Sequence, residues 1–281
     1  MALPPLCGGA AGCILEMALP SLGGRASAQR SHRGVPVNPC LLIPVYNHSG
    51  PLEGVLADLA GFDLPCLLVD DGSDEASKAS LEQYRARYPW VQIETRAKNG
   101  GKGASLKDGY RLAHSLGFSH VLQLDADGQH DVADIPRILE LSKAHPEAMV
   151  LIEPIFENAP KARLYGRLVS CFWVWVESCS LAIRDPLCGY RCLPLPPLIA
   201  ILDRVRCGDR MEFDPEIVVR LVWEDVPVIS FKSMVRYYPD GVSHFDLFWD
   251  NVLISWRHTR LVVGMFLRLP RLIGRRLGFR L

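Results

Sequence analysis

From residue 39 to 153 the chain alternates short apolar runs with stretches of helical period, and that alternation constrains the fold more than any other feature. The runs are "CLLIPV" (40–45), "CLLVDD" (66–71), "VQIET" (91–95), "HVLQLD" (120–125) and "AMVLIEP" (148–154). Helices are predicted between them over 51–61, 75–87, 104–117 and 131–145, the second marked by Leu81, Tyr84 and Tyr88 at helical spacing. Apolar strands joined through helices make a mostly parallel sheet covered on both faces, an α/β architecture. No G-x-G-x-x-G follows the first run, so a dinucleotide-binding version of that architecture is not indicated. In open sheets of this kind, ligands gather beyond the carboxyl ends of the strands. Three of those ends are oxygen-rich: "PVYNHSG", "VDDGSD" and "DADGQH". After residue 155 the pattern changes to helices, loops and one late strand, "VPVISF".

Composition narrows the function classes. With 49% hydrophobic and 22% charged residues in 281, a sizeable core can be buried. Lys+Arg and Asp+Glu both number 31, which argues against a general nucleic-acid binder. The nine cysteines show no C-x-x-C pair, so a reduced chain without a zinc site is expected. Residues 1–37 are rich in Gly, Ala and Ser near the start and lack any period; they are expected to be a disordered extension. The most apolar run, "LVSCFWVWVESCSLAI" (168–183), is too short to span a bilayer and contains Glu177. From Arg257 to Leu281 arginine recurs with no acidic residue, among Leu, Val, Ile and Phe. Residues 247–281 are therefore expected to form a basic amphipathic segment on an anionic membrane surface, broken into two helices at Pro270. A helix docked on the core of the protein or involved in oligomerisation is the plainer alternative.

In "DADGQH", Asp125, Asp127 and Gln129 sit at every second position where a strand runs out. Hard divalent cations take oxygen ligands, and Mg²⁺ characteristically uses one or two carboxylates plus substrate phosphates. The competing reading is a solvated acidic turn capping the next helix. "NGGKG" (99–103) places Lys102 and flexible backbone at a helix N-terminus, a suitable place for phosphate, although it is not a P-loop. "MEFDPEI" offers Glu212, Asp214 and Glu216; Asp214 also fits as a helix N-cap followed by Pro215. In "KARLYGRL", Arg163 and Arg167 fall on one helical face.

"IPVYN", "VDDGSD", "NGGKGASLKDG" and "DADGQH", in that order, resemble the motif series of family 2 glycosyltransferases with the GT-A fold. "DPLCGYRCLP", "MEFDPEI" and "RYYPDGVSHF" resemble the branch that glycosylates dolichyl or polyprenyl phosphate. The resemblance covers residues 38–246. It implies an inverting hexosyltransferase that uses a UDP- or GDP-linked sugar donor, a divalent metal (Mg²⁺ or Mn²⁺) and a lipid-linked acceptor. Such an enzyme is expected to be cytoplasmic and peripheral at the inner face of the membrane. Carried over residue by residue, Pro44, Tyr46, Asn47, Asp70, Asp71, Lys102 and Asp125 would hold the donor. Asp125, Asp127 and Gln129 would hold the metal. Arg163, Arg167, Arg191, Arg236 and Ser243 would meet an acceptor phosphate. A hydroxyl acceptor would instead need a general base, with Glu212 and Asp214 as the candidates. The family usually shows Lys or Arg after the serine where this chain has His244, a weaker cation. Two other readings are a haloacid-dehalogenase-like phosphohydrolase, whose signature opens on a nucleophilic Asp, and a non-catalytic nucleotide-sugar-binding membrane adaptor.

Overall fold

A computed structural model describes residues 36–157, 161–236 and 249–276. The expectation for residues 1–37 falls, but for its last two positions, outside the described residues, as do Ser243 and His244. The strands are β1 (Pro39–Val45), β2 (Cys66–Asp70), β3 (Val91–Thr95), β4 (His120–Gln123), β5 (Met149–Glu157), β6 (Arg191–Pro194) and β7 (Val228–Arg236). The helices are α1 (Ser49–Leu59), α2 (Glu75–Arg87), α3 (Lys102–Ser115), α4 (Ile135–Ala144), α5 (Lys161–Ser178), α6 (Leu195–Arg204), α7 (Phe213–Trp223) and α8 (Trp249–Arg276).

The strands form one sheet in the order β3-β2-β1-β4-β6-β5-β7. All pairings are parallel except those of β6, which runs antiparallel to β4 and β5. Strand side chains alternate between faces, and β1 feeds two cores accordingly. Cys40 and Leu42 join the cluster holding Leu106 and Tyr110 of α3 and Ile217 of α7. Leu41, Ile43 and Val45 join the one holding Leu56 of α1, Leu81 of α2 and Ile138 of α4. The five apolar runs are therefore the strands expected, and β6, hidden inside "CGYRCLP", is the one missed. Four residues long and flanked by Pro and Gly, it carries too short a pattern to be read alone.

Two terminal expectations need correction. Asp214 does not cap α7: the helix begins at Phe213, which puts Asp214 in its first turn, beside Lys102 and Arg191 rather than over orphan N–H groups. Nor does Pro270 divide α8, which is one helix of 28 residues with the proline inside it. A proline deletes one helical hydrogen bond and crowds the preceding turn, at a cost of about 3 kcal/mol. Here Leu261 and Met265 before it and Leu272 after it are all buried on the core, and that packing holds the helix continuous.

Candidate active site

The ends of β1, β2 and β4 open on one rim of the sheet, and two loops tie that rim together. Asn47, at φ +48, accepts from Asp74 N at 2.8 Å through its side chain and donates its backbone N–H to Ser73 Oγ at 2.9 Å. Asp74 in turn caps α2 through Ser77 N at 2.8 Å. Pro44, near the end of β1, and Tyr46, just beyond it, are half-buried. Asp70 is fully buried and accepts from Ser73 N at 3.0 Å.

Asp71 is held by partners within the protein. Its carboxylate accepts from Gly100 N at 2.9 Å and Gly101 N at 2.7 Å, and pairs with Arg96, whose Nε reaches Asp108 of α3 at 2.7 Å. A protein carboxylate thus sits where the glycine-rich loop was expected to offer its N–H groups to phosphate. Gly101 has φ +99, and a Cβ there would lie 2.6 Å from Asp209 O, so only glycine fits this junction. Ala104 N also donates to Asp209 O, at 2.8 Å. Arg96 was missed in sequence, since a lone arginine before a glycine loop carries no signal.

With the loop clamped, Lys102 points inward. Its ammonium lies 2.7 Å from Asp125 Oδ1 and 3.0 Å from Asp214 Oδ2. Arg191, 1% exposed on β6, holds the far side of Asp214: Nη2 is 2.6 Å from Oδ1, and Nη1 donates to the backbone carbonyl at 3.1 Å. Burial opposes the charge on Asp125, but Lys102 and then His130, 3.7 Å away, outweigh it and hold the carboxyl far below its usual range. Gly189 packs on the same carboxylate.

Asp127 is pushed the other way: burial first and the Asp125 charge second raise its pKa. It accepts from Gln129 N at 3.0 Å across Gly128, which has φ +69. The loop is fastened to β7, because Gln129 O accepts from Arg236 N at 2.9 Å and His130 bridges Val235. The helix-capping role that competed for these acids belongs to Asp131, which accepts from Ala133 N at 3.0 Å. A cleft of about 600 Å³ opens beside them, lined by Asn47, His48, Gly54, Asp125, Asp127 and His130 among others.

A divalent cation fits this donor set. Two partly buried carboxylates one residue apart repel, and Lys102 neutralises only Asp125. No group of three His, Cys, Asp or Glu side chains forms a ready-made cage among the described residues. With two carboxylates from the protein, the remaining ligands of such a cation would come from a substrate diphosphate.

The acceptor-side candidates are more dispersed. Arg167 pairs in a two-pronged fashion with Asp185, at 2.7 and 2.8 Å. Asp185 also accepts from Leu187 N and Cys188 N, so the pair shapes the loop leading to Gly189. Arg163 lies one turn earlier on α5, and Arg236 is exposed at the end of β7. Glu212 is buried and accepts from Asp209 N at 3.1 Å; its Oε2 has no hydrogen-bond partner among the described residues. Glu216 is fully buried between Arg220 and Arg257.

Comparison with known proteins falls on this rim. The family described as Glycosyl transferase family 2 matches residues 40–177, from β1 through α5. The undecaprenyl-phosphate mannosyltransferase of Micrococcus luteus is 31% identical over 101 residues, 35% of this chain and 42% of that one. The dolichyl-phosphate beta-glucosyltransferase of Saccharomyces cerevisiae is 23% identical over 228 residues, 67% of this chain and 65% of that one. This chain therefore spans less than two thirds of the length of either relative. Among solved structures, the mannosyltransferase PcManGT from Pyrobaculum calidifontis, in complex with GDP-Man and Mn²⁺, superposes with a TM-score of 0.56 at 16% identity, covering 84% of this chain and 65% of that one. The family match runs through the strands whose ends carry the carboxylates, and the similarity in shape extends over 84% of the chain. The chain carries a glycosyl transferase family 2 domain over residues 40–177 and has the GT-A fold.

Proposed function

We propose that this protein is an inverting glycosyltransferase that moves a sugar from a UDP- or GDP-linked donor to a lipid-linked acceptor at the cytosolic face of a membrane, with Mg²⁺ or Mn²⁺. The observation that carries the reading is the convergence of Asp125, Asp127, Lys102 and Asp214 at the carboxyl end of the sheet. Asp125, Asp127 and Gln129 would hold the cation, whose chemistry is to neutralise the diphosphate as it leaves. Asn47 and Tyr46 shape the donor side, with Asp70 behind them. Asp71 acts by fixing the loop that carries Lys102.

Of the two acceptor chemistries, the geometry favours a phosphate. A hydroxyl needs a free base, and Asp214 is engaged by both Lys102 and Arg191 while Glu212 is buried against its own loop. A lipid phosphate arrives already ionised and needs no proton removed. Arg163, Arg236 and Ser243 are the residues we assign to it; Arg191 and Arg167 support the site through Asp214 and Asp185. The phosphohydrolase reading needed Asp125 as a nucleophile, but that carboxylate is held by Lys102 in a chain of another family.

No helix among the described residues is long and apolar enough to cross a membrane. Helix α8 supports a surface contact instead, because it is apolar on two faces. Ile254, Leu261, Met265 and Leu272 dock on the core, while Trp249, Trp256, Val263, Phe266 and Leu267 face outward. Arg260 and Arg271 are exposed beside them. The core-docked and membrane-facing readings of this segment are thus compatible.

The test is sugar transfer by purified protein to a polyprenyl phosphate in mixed micelles. Transfer should require Mg²⁺ or Mn²⁺, and Asp127→Asn should abolish it while Glu212→Gln retains it. Activity that survives EDTA and Asp127→Asn together would remove the metal reading. Loss on Glu212→Gln would turn the assignment toward a hydroxyl acceptor.

A further inference from the structure

Asp125 and Asp214 come from different parts of the chain, one after β4 and the other on α7, and one ammonium group joins them. Asp214 has a second cation in Arg191 at 2.6 Å. Asp125 does not: beyond Lys102 at 2.7 Å it has His130 at 3.7 Å. The lysine is delivered from a fixed backbone, since Asp71 holds Gly100 and Gly101 and Asp209 O holds Ala104 N. Its side chain is 17% exposed, so solvent screens it weakly. An ammonium that touches Asp125 stands where a dication shared by Asp125 and Asp127 would draw its charge, and the two cations repel.

We propose that Lys102 is the resident counter-ion of the Asp125–Asp127 pair, a positioning residue that competes with the divalent cation for Asp125 and stays on Asp214 once the cation binds. The inference rests on the metal-dependent reading above and deepens it. In the metal-free protein, Lys102 keeps Asp125 in place and ties the strand end to α7. When the cation arrives with the diphosphate, Lys102 gives up one of its two carboxylates and keeps the other. The site is then held weakly closed to metal alone and opened by metal together with nucleotide, whose phosphates supply the negative charge that Lys102 had been answering.

The test is Mn²⁺ binding to the full chain without nucleotide, read from the paramagnetic resonance signal of the free ion, for wild type, Lys102→Met and Lys102→Arg. Thermal melts are recorded alongside. Removing one nearby unit charge should tighten Mn²⁺ binding in Lys102→Met by about tenfold or more, with Lys102→Arg close to wild type. Unchanged or weaker binding in a Lys102→Met protein that melts normally overturns the proposal. Should Lys102→Met fail to fold, the wild-type Lys102 ammonium resonance, assigned by its loss in Lys102→Arg, decides. It should move as Mg²⁺ is added with nucleoside diphosphate, and an immobile signal at saturation overturns the proposal. Mn²⁺ binding by Lys102→Met but not by wild type, even with nucleotide, would sink the metal-dependent function and leave the counter-ion role standing. Binding by neither sinks both.

Discussion

Gly189→Ala places one methyl group directly against the carboxylate of Asp125. A Cβ built on Gly189 lies 2.2 and 2.5 Å from the two carboxylate oxygens of Asp125 and 2.6 Å from Cγ. Cβ atoms essentially never come within 3.0 Å of another heavy atom, so the carboxylate has to retreat by at least about 0.8 Å, the difference between 3.0 and 2.2. Asp125 cannot retreat that far and keep Lys102 at 2.7 Å. Overpacking of this kind costs about 1–3 kcal/mol of stability. A misplacement of about 1 Å at a reacting centre costs on the order of 100-fold in rate. The assay is sugar transfer to lipid phosphate at saturating donor, paired with a thermal melt and Mn²⁺ binding. Gly166→Ala is the control, because nothing lies within 4 Å of a Cβ there; in the interior of a helix it should gain about 0.5–1 kcal/mol. A Gly189→Ala enzyme that turns over like wild type with unaltered Mn²⁺ affinity would show that the position of Asp125 does not matter to the chemistry.

Other expected outcomes are as direct. Glu216→Ala removes the carboxylate between Arg220, Arg257 and Gly208 N and strands two cations, so unfolding should become easier by about 3–5 kcal/mol in urea titration. A loss below 1 kcal/mol would mean that water reaches the site. His120 is buried between Ser119 Oγ and the Pro146 carbonyl, each at 2.9 Å, and burial lowers its pKa below the ordinary 6.5. The unfolded chain then takes up the proton first, so stability is full above about pH 6.5 and falls as pH drops toward the folded value. The melting temperature of His120→Gln should be flatter across that window; parallel curves would refute the assignment. Replacing the exposed Trp256 and Phe266 with Glu should weaken binding to anionic vesicles by about tenfold or more and leave the melt in place. Equal vesicle binding would remove α8 as the contact.

Much of the fold was legible in the chain. The apolar runs β1 to β5 and helix α2 lie where their patterns put them, because burial on both faces of β1, β2 and β4 leaves a continuous hydrophobic signature and Asp74 marks the helix start. The likeness to glycosyl transferase family 2 and the acidic strand end at Asp125 and Asp127 were equally legible, since each motif is local: a few consecutive residues on one turn. What only the tertiary structure decided is which charge meets which. Asp71 pairs with Arg96, Lys102 with Asp125 and Asp214, Arg167 with Asp185, and Gly189 packs on Asp125. Of these pairs only Lys102 and Asp125 were named as belonging to one site, as donor contacts and not as an ion pair. Local pattern comes from the covalent chain and the period of its backbone. A carboxylate's partner is set by Coulomb attraction over a few ångströms between segments that the sequence leaves tens of residues apart, and those distances exist only after the sheet has closed.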